Sequence, residues 1–291
     1  MRQNINYILI TPAKNEEKDL QKVIDSVVNQ TVLPKVWIII DDGSTDRTSL
    51  IIQYNQNKYD FIKSIRLPEH QRDIYYHYAY VCRKGFEYAI QHCNKLKINF
   101  DYIGLLDADT ILERNYFKKL FIRMEMNPNV GIASGGIYYK KNSKLIYENS
   151  LEDFPRGTGR IWTKQCFIET GGYEIDPAMH TISNVKANIK GYETKQYREI
   201  IAIQTRKTSS IEGFWKSNVK AGINAYYLYR RPKIIFLNVL YKSIQYPFYS
   251  GLAFLIGYLR AYFKNEARIK NIEIINYFQN EKITDKIKKM K

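Results

Sequence analysis

The chain has 291 residues, 45% hydrophobic and 25% charged, and a formal net charge of +16 at pH 7. That apolar content excludes a disordered chain and allows a full α/β core in one or two domains. Its three cysteines, Cys82, Cys93 and Cys166, exclude a disulfide framework and a zinc site of the usual spacing, and fit a reducing cytoplasm. So large a positive charge calls for a phosphate-bearing partner, but no recognisable RNA- or DNA-binding module is present, so nucleic acid is not expected.

Met1 to Asn6 is polar and the apolar run behind it is only a strand long, so no secretory signal is expected. The first strand, near residues 6–11, leads into Thr11-Pro12-Ala13-Lys14-Asn15-Glu16-Glu17. Leu20, Val23, Ile24, Val27 and Val28 then follow the stripe of an amphipathic helix, with Glu16 and Glu17 expected in its first turn. A continuous β-branched run, near 36–41, ends in Asp41-Asp42-Gly43-Ser44-Thr45-Asp46 and is followed by a second helix. A strand near 61–66 precedes a third helix from Tyr75 to His92, where the spacing of Cys82 and Cys93 places both on one face. The strand near 102–107 runs into Leu106-Asp107-Ala108-Asp109. A fourth helix from about Arg114 is stopped by Pro128, ahead of a strand near 130–134. Such alternation predicts an α/β fold, a Rossmann-like, mainly parallel sheet flanked by helices.

Beyond this point the pattern loosens. Gly135 and Gly136 read as a tight turn or a close approach to a ligand, residues 137–170 as short strands and loops. Thr181–Lys190 reads as a helix closed by Gly191, and Ile200–Thr205 as an edge strand. Trp215 to Tyr229 is again helical. Between Lys242 and Arg260 lie 17 uncharged residues, interrupted by Ser243, Gln245 and Pro247, whereas a spanning helix needs about 20 mostly apolar residues. From Arg230 onward, 13 lysines and arginines face 4 acidic residues, leaving +9. Tyrosines and flanking basic residues favour a helical hairpin on an anionic membrane surface over a packed helix or a span.

In open α/β sheets ligands bind at the carboxyl ends of strands, where the motifs stand. Period-two spacing puts Asp107 and Asp109 on one side of an extended chain. Two such carboxylates can share Mg²⁺ or Mn²⁺ with phosphate oxygens. The plain alternative for Asp41–Asp46 is a helix-capping turn with an extra solvated aspartate.

Thr11 to Glu17, Asp41 to Asp46, Leu106 to Asp109 and Gly171 to Tyr173, in that order, resemble the family 2 glycosyltransferases of the GT-A fold over roughly residues 5–205. The resemblance implies inverting sugar transfer from a UDP- or GDP-sugar, with a divalent cation, to a saccharide or lipid-linked acceptor in surface polysaccharide or glycan synthesis. It implies nucleotide contacts from Thr11, Pro12, Ala13, Glu16, Asp42 and Lys84. It also implies a metal site on Asp109 with Asp107, the latter, next to Ala108, also touching the ribose. A GT-A domain is expected over residues 1–210, its nucleotide-binding half about 1–110 and its acceptor half about 111–210, with a basic, aromatic-rich helical extension over 211–291. The expected location is cytoplasmic, peripheral at the inner face of the membrane. One position departs from the family pattern: counting back from Gly191-Tyr192, the usual aspartate base is replaced by His180. Histidine can serve as a base, Asp176 or Glu174 can reach in, or His180 can merely orient the acceptor. A polyprenyl phosphate acceptor, already ionised, needs no strong base. His70, His77 and His92 show no partner pattern and are expected to be structural or exposed. A nucleotidyltransferase is disfavoured by the lack of glycine in Thr11–Glu17, and a non-catalytic sugar-nucleotide binder rests on His180 alone.

Overall fold

The computed structural model describes residues 5–69, 76–142, 144–148, 151–205 and 213–281. His70, the 210/211 boundary and residues 282–291 of the basic tail lie outside these. The chain divides into two compact units, Met1–Thr205 and Arg206–Lys291.

In the first unit, β1 (Tyr7–Ala13), β2 (Val36–Asp41), β3 (Ile62–Arg66) and β4 (Tyr102–Leu105) run parallel in the order β3-β2-β1-β4. Strands β1 and β2 are buried end to end because alternate side chains enter different layers. Tyr7, Leu9, Trp37 and Ile39 pack with α1 (Leu20–Val28) and α4 (Tyr116–Met126), whereas Ile8, Ile10, Ile38 and Ile40 pack with α3 (Tyr76–Lys95). The α1 stripe is realised: Leu20, Val23, Ile24 and Val27 are fully buried, each worth about 1.5–3 kcal/mol relative to exposure. Glu16 and Glu17, however, precede the helix, whose first turn carries no acid; the Glu16 carbonyl instead accepts from Leu20 N–H at 2.9 Å. Helix α2 (Thr48–Lys58) follows the Asp-Asp-Gly turn.

The sheet continues as β4-β8-β6-β9-β5. Here β8 (Arg160–Thr163) is antiparallel to β4 and to β6 (Val130–Lys141). Strand β9 (Glu193–Gln204) is parallel to β6, and β5 (Thr110–Leu112) antiparallel to β9. Strand β7 (Lys144–Tyr147) forms a hairpin with β6. Two local expectations fail. The stretch 200–205 belongs to a 12-residue strand flanked by β6 and β5, and is no edge. Gly135 and Gly136 lie within β6 at a register shift against β9. A Cβ on Gly135 would sit 2.3 Å from the Ile200 carbonyl oxygen, so the glycine admits a neighbouring strand rather than a ligand. Trp162 is core, edge-on to Phe86 and Tyr173. Helices α5 (Lys164–Glu169) and α6 (Met179–Ile189) complete the unit.

The second unit comprises α7 (Gly213–Tyr227), α8 (Pro232–Ser243), α9 (Ser250–Phe263) and α10 (Ile272–Gln279). Helices α7 and α9 meet at glycines: a Cβ on Gly222 or Gly257 would lie 2.0 or 1.9 Å from a carbonyl oxygen of the other helix. Among the described residues, no helix is long and apolar enough to cross a membrane.

Candidate active site

The loops after β1 and β2 are tied together by side chains accepting each other's backbone amides. Asn15 N–H donates to Ser44 Oγ at 3.1 Å, and Thr45 N–H to Asn15 Oδ1 at 2.8 Å. Glu16 N–H donates to Thr48 Oγ1 at 2.7 Å and Glu17 N–H to Asp46 Oδ2 at 3.1 Å. Asn15 adopts φ 54°, which asparagine tolerates, and Gly43 (φ 63°) has no room for a side chain beside the Glu69 backbone. The hydroxyls and amides of both motifs thus make one platform at the end of the parallel strands.

The tandem aspartates divide their work. Asp41 is structural: its carboxylate accepts from Ser44 N–H at 2.9 Å and Ser49 Oγ at 2.5 Å and pairs with Arg66 at 3.1 Å. Asp42 instead meets His77 Nε2 at 2.8 Å, so His77 has a partner that the sequence did not reveal. Thr11 stands at the expected strand end, but its hydroxyl is turned inward and accepts from Trp37 Nε1–H at 2.9 Å. Pro12 and Ala13 are in register with Ile40 and Asp41, and the Ala13 carbonyl accepts from Asp42 N–H. Glu16 is buried beside them. Lys84 is exposed on α3, its Nζ 3.1 Å from Glu87 and 5.7 Å from the Tyr80 ring centroid.

Asp107 and Asp109 do not share the side of an extended strand. β4 ends at Leu105, and Asp107, buried Ala108 and Asp109 form a turn closed by Thr110 N–H to the Asp107 carbonyl at 3.2 Å. The two carboxylates still sense each other. Burial first, then the charge of Asp109, pushes the Asp107 pKa up to about 7, with Glu16 adding to the effect. Tyr78 O–H opposes this by donating to Asp107 Oδ1 at 2.5 Å, and Asp107 N–H is fixed by Thr158 Oγ1 at 2.9 Å. Among the described residues no cluster of three or more His, Cys, Asp or Glu side chains could hold a metal. Asp107 and Asp109 offer two mutually repelling carboxylates. That fits a hard divalent cation completed by phosphate oxygens and water, and does not fit a closed structural site.

The surroundings of His180 are built around arginine. Arg160 is fully buried and satisfies carbonyls: Nε–H donates to Arg156 O at 2.8 Å, one Nη to Pro155 O and the other to His180 O at 3.4 Å. Burial lowers its pKa to about 10. Arg156 pairs with Glu148 at 3.1 Å, and its buried Nε has no hydrogen-bond partner among the described residues. His180 begins α6 where the sequence count puts it, but in surroundings unlike those of a general base. Burial first, then the positive charges of Arg160 and Arg156, pushes its pKa down to about 3. Nδ1 lies 3.2 Å from Tyr173 O–H, and the Nε2 edge packs against Gly157 so tightly that a Cβ there would be 2.3 Å from Nε2. Asp176 is buried and its Oδ1 accepts from Ala178 N–H at 2.8 Å, holding the turn before α6. Glu174 is paired with Lys186.

His77, Tyr78, Arg156 and Arg160 were missed by sequence reasoning. Tyr78 had a signal: it extends the Cys82–Phe86–Cys93 buried stripe of α3 by one turn. Tyr78 also faces the His180 ring edge-on, centroids 6.2 Å apart, so α3 links the Asp107 side to the His180 side.

A parallel half ending in acidic loops, joined through one sheet to a mixed acceptor half, is the layout of a GT-A glycosyltransferase. The chain belongs to glycosyl transferase family 2, whose model matches residues 8–265. It is 22% identical over 226 residues to a poly-beta-1,6-N-acetyl-D-glucosamine synthase of Staphylococcus aureus, covering 71% of this chain and 51% of that protein. The match to the Staphylococcus epidermidis enzyme of that name is 23% over 238 residues, covering 75% and 53%. The chain thus spans about half the length of the curated relatives it matches. Among solved structures it resembles a mannosyltransferase of Pyrobaculum calidifontis in complex with GDP-Man and Mn²⁺, with TM-score 0.54 and 13% identity over 94% of this chain and 72% of that one. It also resembles Staphylococcus aureus TarS residues 1–349, with TM-score 0.52 and 12% identity over 90% and 73%. At these identities the likeness is one of fold.

Proposed function

We propose that this glycosyltransferase moves a sugar, with inversion, from a UDP- or GDP-sugar to a saccharide or lipid-linked acceptor during surface polysaccharide or glycan synthesis, at the inner face of the membrane. The observation that carries the donor side is the half-buried, mutually repelling pair Asp107 and Asp109 in the turn that follows β4. Asp107 and Asp109 would hold Mn²⁺ or Mg²⁺, which when bound offsets negative charge developing on the departing diphosphate. Asp42, oriented by His77, accepts from a base N–H, as uracil and guanine offer. The backbone of Thr11–Ala13 and the Glu16 side chain border the nucleoside. Tyr78 fixes the rotamer of Asp107, which also reaches the ribose.

On the acceptor side, His180 is neutral and engaged by Tyr173 and Gly157, so it orients the acceptor rather than accepting its proton. Asp176 is then the carboxylate that takes the proton from an acceptor hydroxyl. A second reading is favoured by Arg156, whose buried Nε has no hydrogen-bond partner among the described residues: its positive charge near a neutral histidine suits an acceptor that is already anionic, such as a polyprenyl phosphate, which needs no base.

The test is a screen of UDP- and GDP-sugars for thermal stabilisation and hydrolysis with and without Mn²⁺. A cognate donor at 100 times its Kd adds about 2.7 kcal/mol of stability. Absence of stabilisation and hydrolysis with every donor would sink the reading, and sugar phosphoryl-polyprenol as product would select the second one.

A further inference from the structure

Helices α8 and α9 each carry a second apolar face that is exposed among the described residues. On α9, Leu252, Ile256, Leu259 and Phe263 recur at helical spacing and are exposed, Phe263 to 79%. On α8, Phe236, Leu240 and Ile244 do the same, Ile244 being 74% exposed. The connection between them presents Tyr246, 87% exposed, and Phe248. The opposite faces are already used, since Ile235 and Phe254 pack with Ala225 in the core of the unit. Single exposed apolar residues are ordinary; nine on two successive helices and their connection are not.

Basic groups border this face. Tyr262 and Phe263 line a groove of about 1000 Å³ together with Arg268 and Lys270. The Arg268 guanidinium is held 3.8 Å from the Tyr226 ring centroid and 4.4 Å from that of Tyr229. Lys264 is exposed on the turn after α9. Lys264, Arg268 and Lys270 border the face, so a second copy of it would bring like charges together. Apolar and aromatic side chains rimmed by cations match the headgroup boundary of an anionic bilayer.

We infer that the α8–α9 face docks on an anionic lipid surface, with Phe236, Leu252, Ile256 and Phe263 entering the headgroup region and Lys264, Arg268 and Lys270 meeting lipid phosphates. This rests on the membrane-face placement proposed above and gives it a site. The test is flotation of the full chain with vesicles of phosphatidylcholine alone and of phosphatidylcholine with phosphatidylglycerol, two to one. Binding is expected to the anionic vesicles only and to weaken with salt. Lys264→Gln and Lys270→Gln should each lower it about 5-fold, the worth of one basic residue near such a surface. A triple Leu252→Ser, Ile256→Ser, Phe263→Ser variant with an unchanged circular dichroism spectrum should not float. The assignment is overturned if the wild type stays unbound, if it floats equally with neutral vesicles, or if the triple variant floats like the wild type. It is equally overturned if the wild type dimerises and the triple variant does not, which gives the face to a second copy. Donor hydrolysis in solution, measured in parallel, should be the same in wild type and variants. Its absence from the wild type faults the catalytic reading and leaves the face standing.

Discussion

The two halves of the catalytic unit solve opposite electrostatic problems. The parallel half places Asp42, Asp107, Asp109 and Glu16 on the loops that follow its strands, and under the proposed reading a cation and a base N–H meet them there. The acceptor half buries Arg160 behind carbonyl groups, brings Arg156 beside it and keeps His180 neutral. Burial raises the acid on one side and lowers the base on the other, and in both cases it disfavours the charged form.

The most damaging change should be Asp109→Ala, which removes one of the two carboxylates of the proposed cation site. Turnover is expected to fall at least ~10²-fold with the fold intact, checked by metal-dependent hydrolysis and circular dichroism. Full activity in the variant, or in chelator, would break the acidic side of the comparison. Asp176→Asn keeps an oxygen for the Ala178 amide and removes only the basic function. With a hydroxyl acceptor it should lower kcat about 10²-fold. Unchanged kcat there, together with turnover of a phosphate acceptor, sharpens the comparison in favour of an anionic acceptor.

Tyr78→Phe deletes a hydrogen bond to a carboxylate, an interaction worth about 1.5–3 kcal/mol. The metal concentration for half-maximal rate should rise about tenfold while kcat changes little, measured by Mn²⁺ titration. The smallest effect concerns His180. Its folded pKa, about 3, lies below the ordinary 6.5, so the unfolded chain binds the extra proton. Stability is therefore full above pH 6.5 and is lost as pH falls below it, by about 2 kcal/mol at pH 5. Denaturant titrations of wild type and His180→Gln at pH 7 and 5 measure this difference. His180 should contribute no inflection to the wild-type rate between pH 5 and 8.

The nucleotide half was legible because its signals are local. Val36–Ile40 is an unbroken apolar run and Leu20–Val27 a complete stripe, so strand, turn chemistry and helix follow in sequence. The acceptor half was not. Arg160 lies in a strand-like stretch and reveals nothing of its carbonyl partners until Pro155, Arg156 and His180 are folded around it. Strand β9 hid its length because Glu193, Lys195 and Arg198 break the apolar alternation that its second part keeps. Period-two reasoning misplaced Asp107 and Asp109, since the strand stops at Leu105 and a turn, not a pleat, sets their relation. His77 met Asp42 across 35 residues, a separation no local pattern reports.

Because the amides of Asn15, Glu16, Glu17, Ser44, Thr45 and Thr48 are bound to side chains of these same two loops, most of them reaching across from one loop to the other, neither loop has a stable shape alone. The first two motifs are in effect one graft: transplanting either into another scaffold without its mate leaves amide protons open to exchange with solvent. Hydrogen exchange should accordingly show these loop amides opening together, at rates closer to those of the flanking strands than to those of ordinary surface turns.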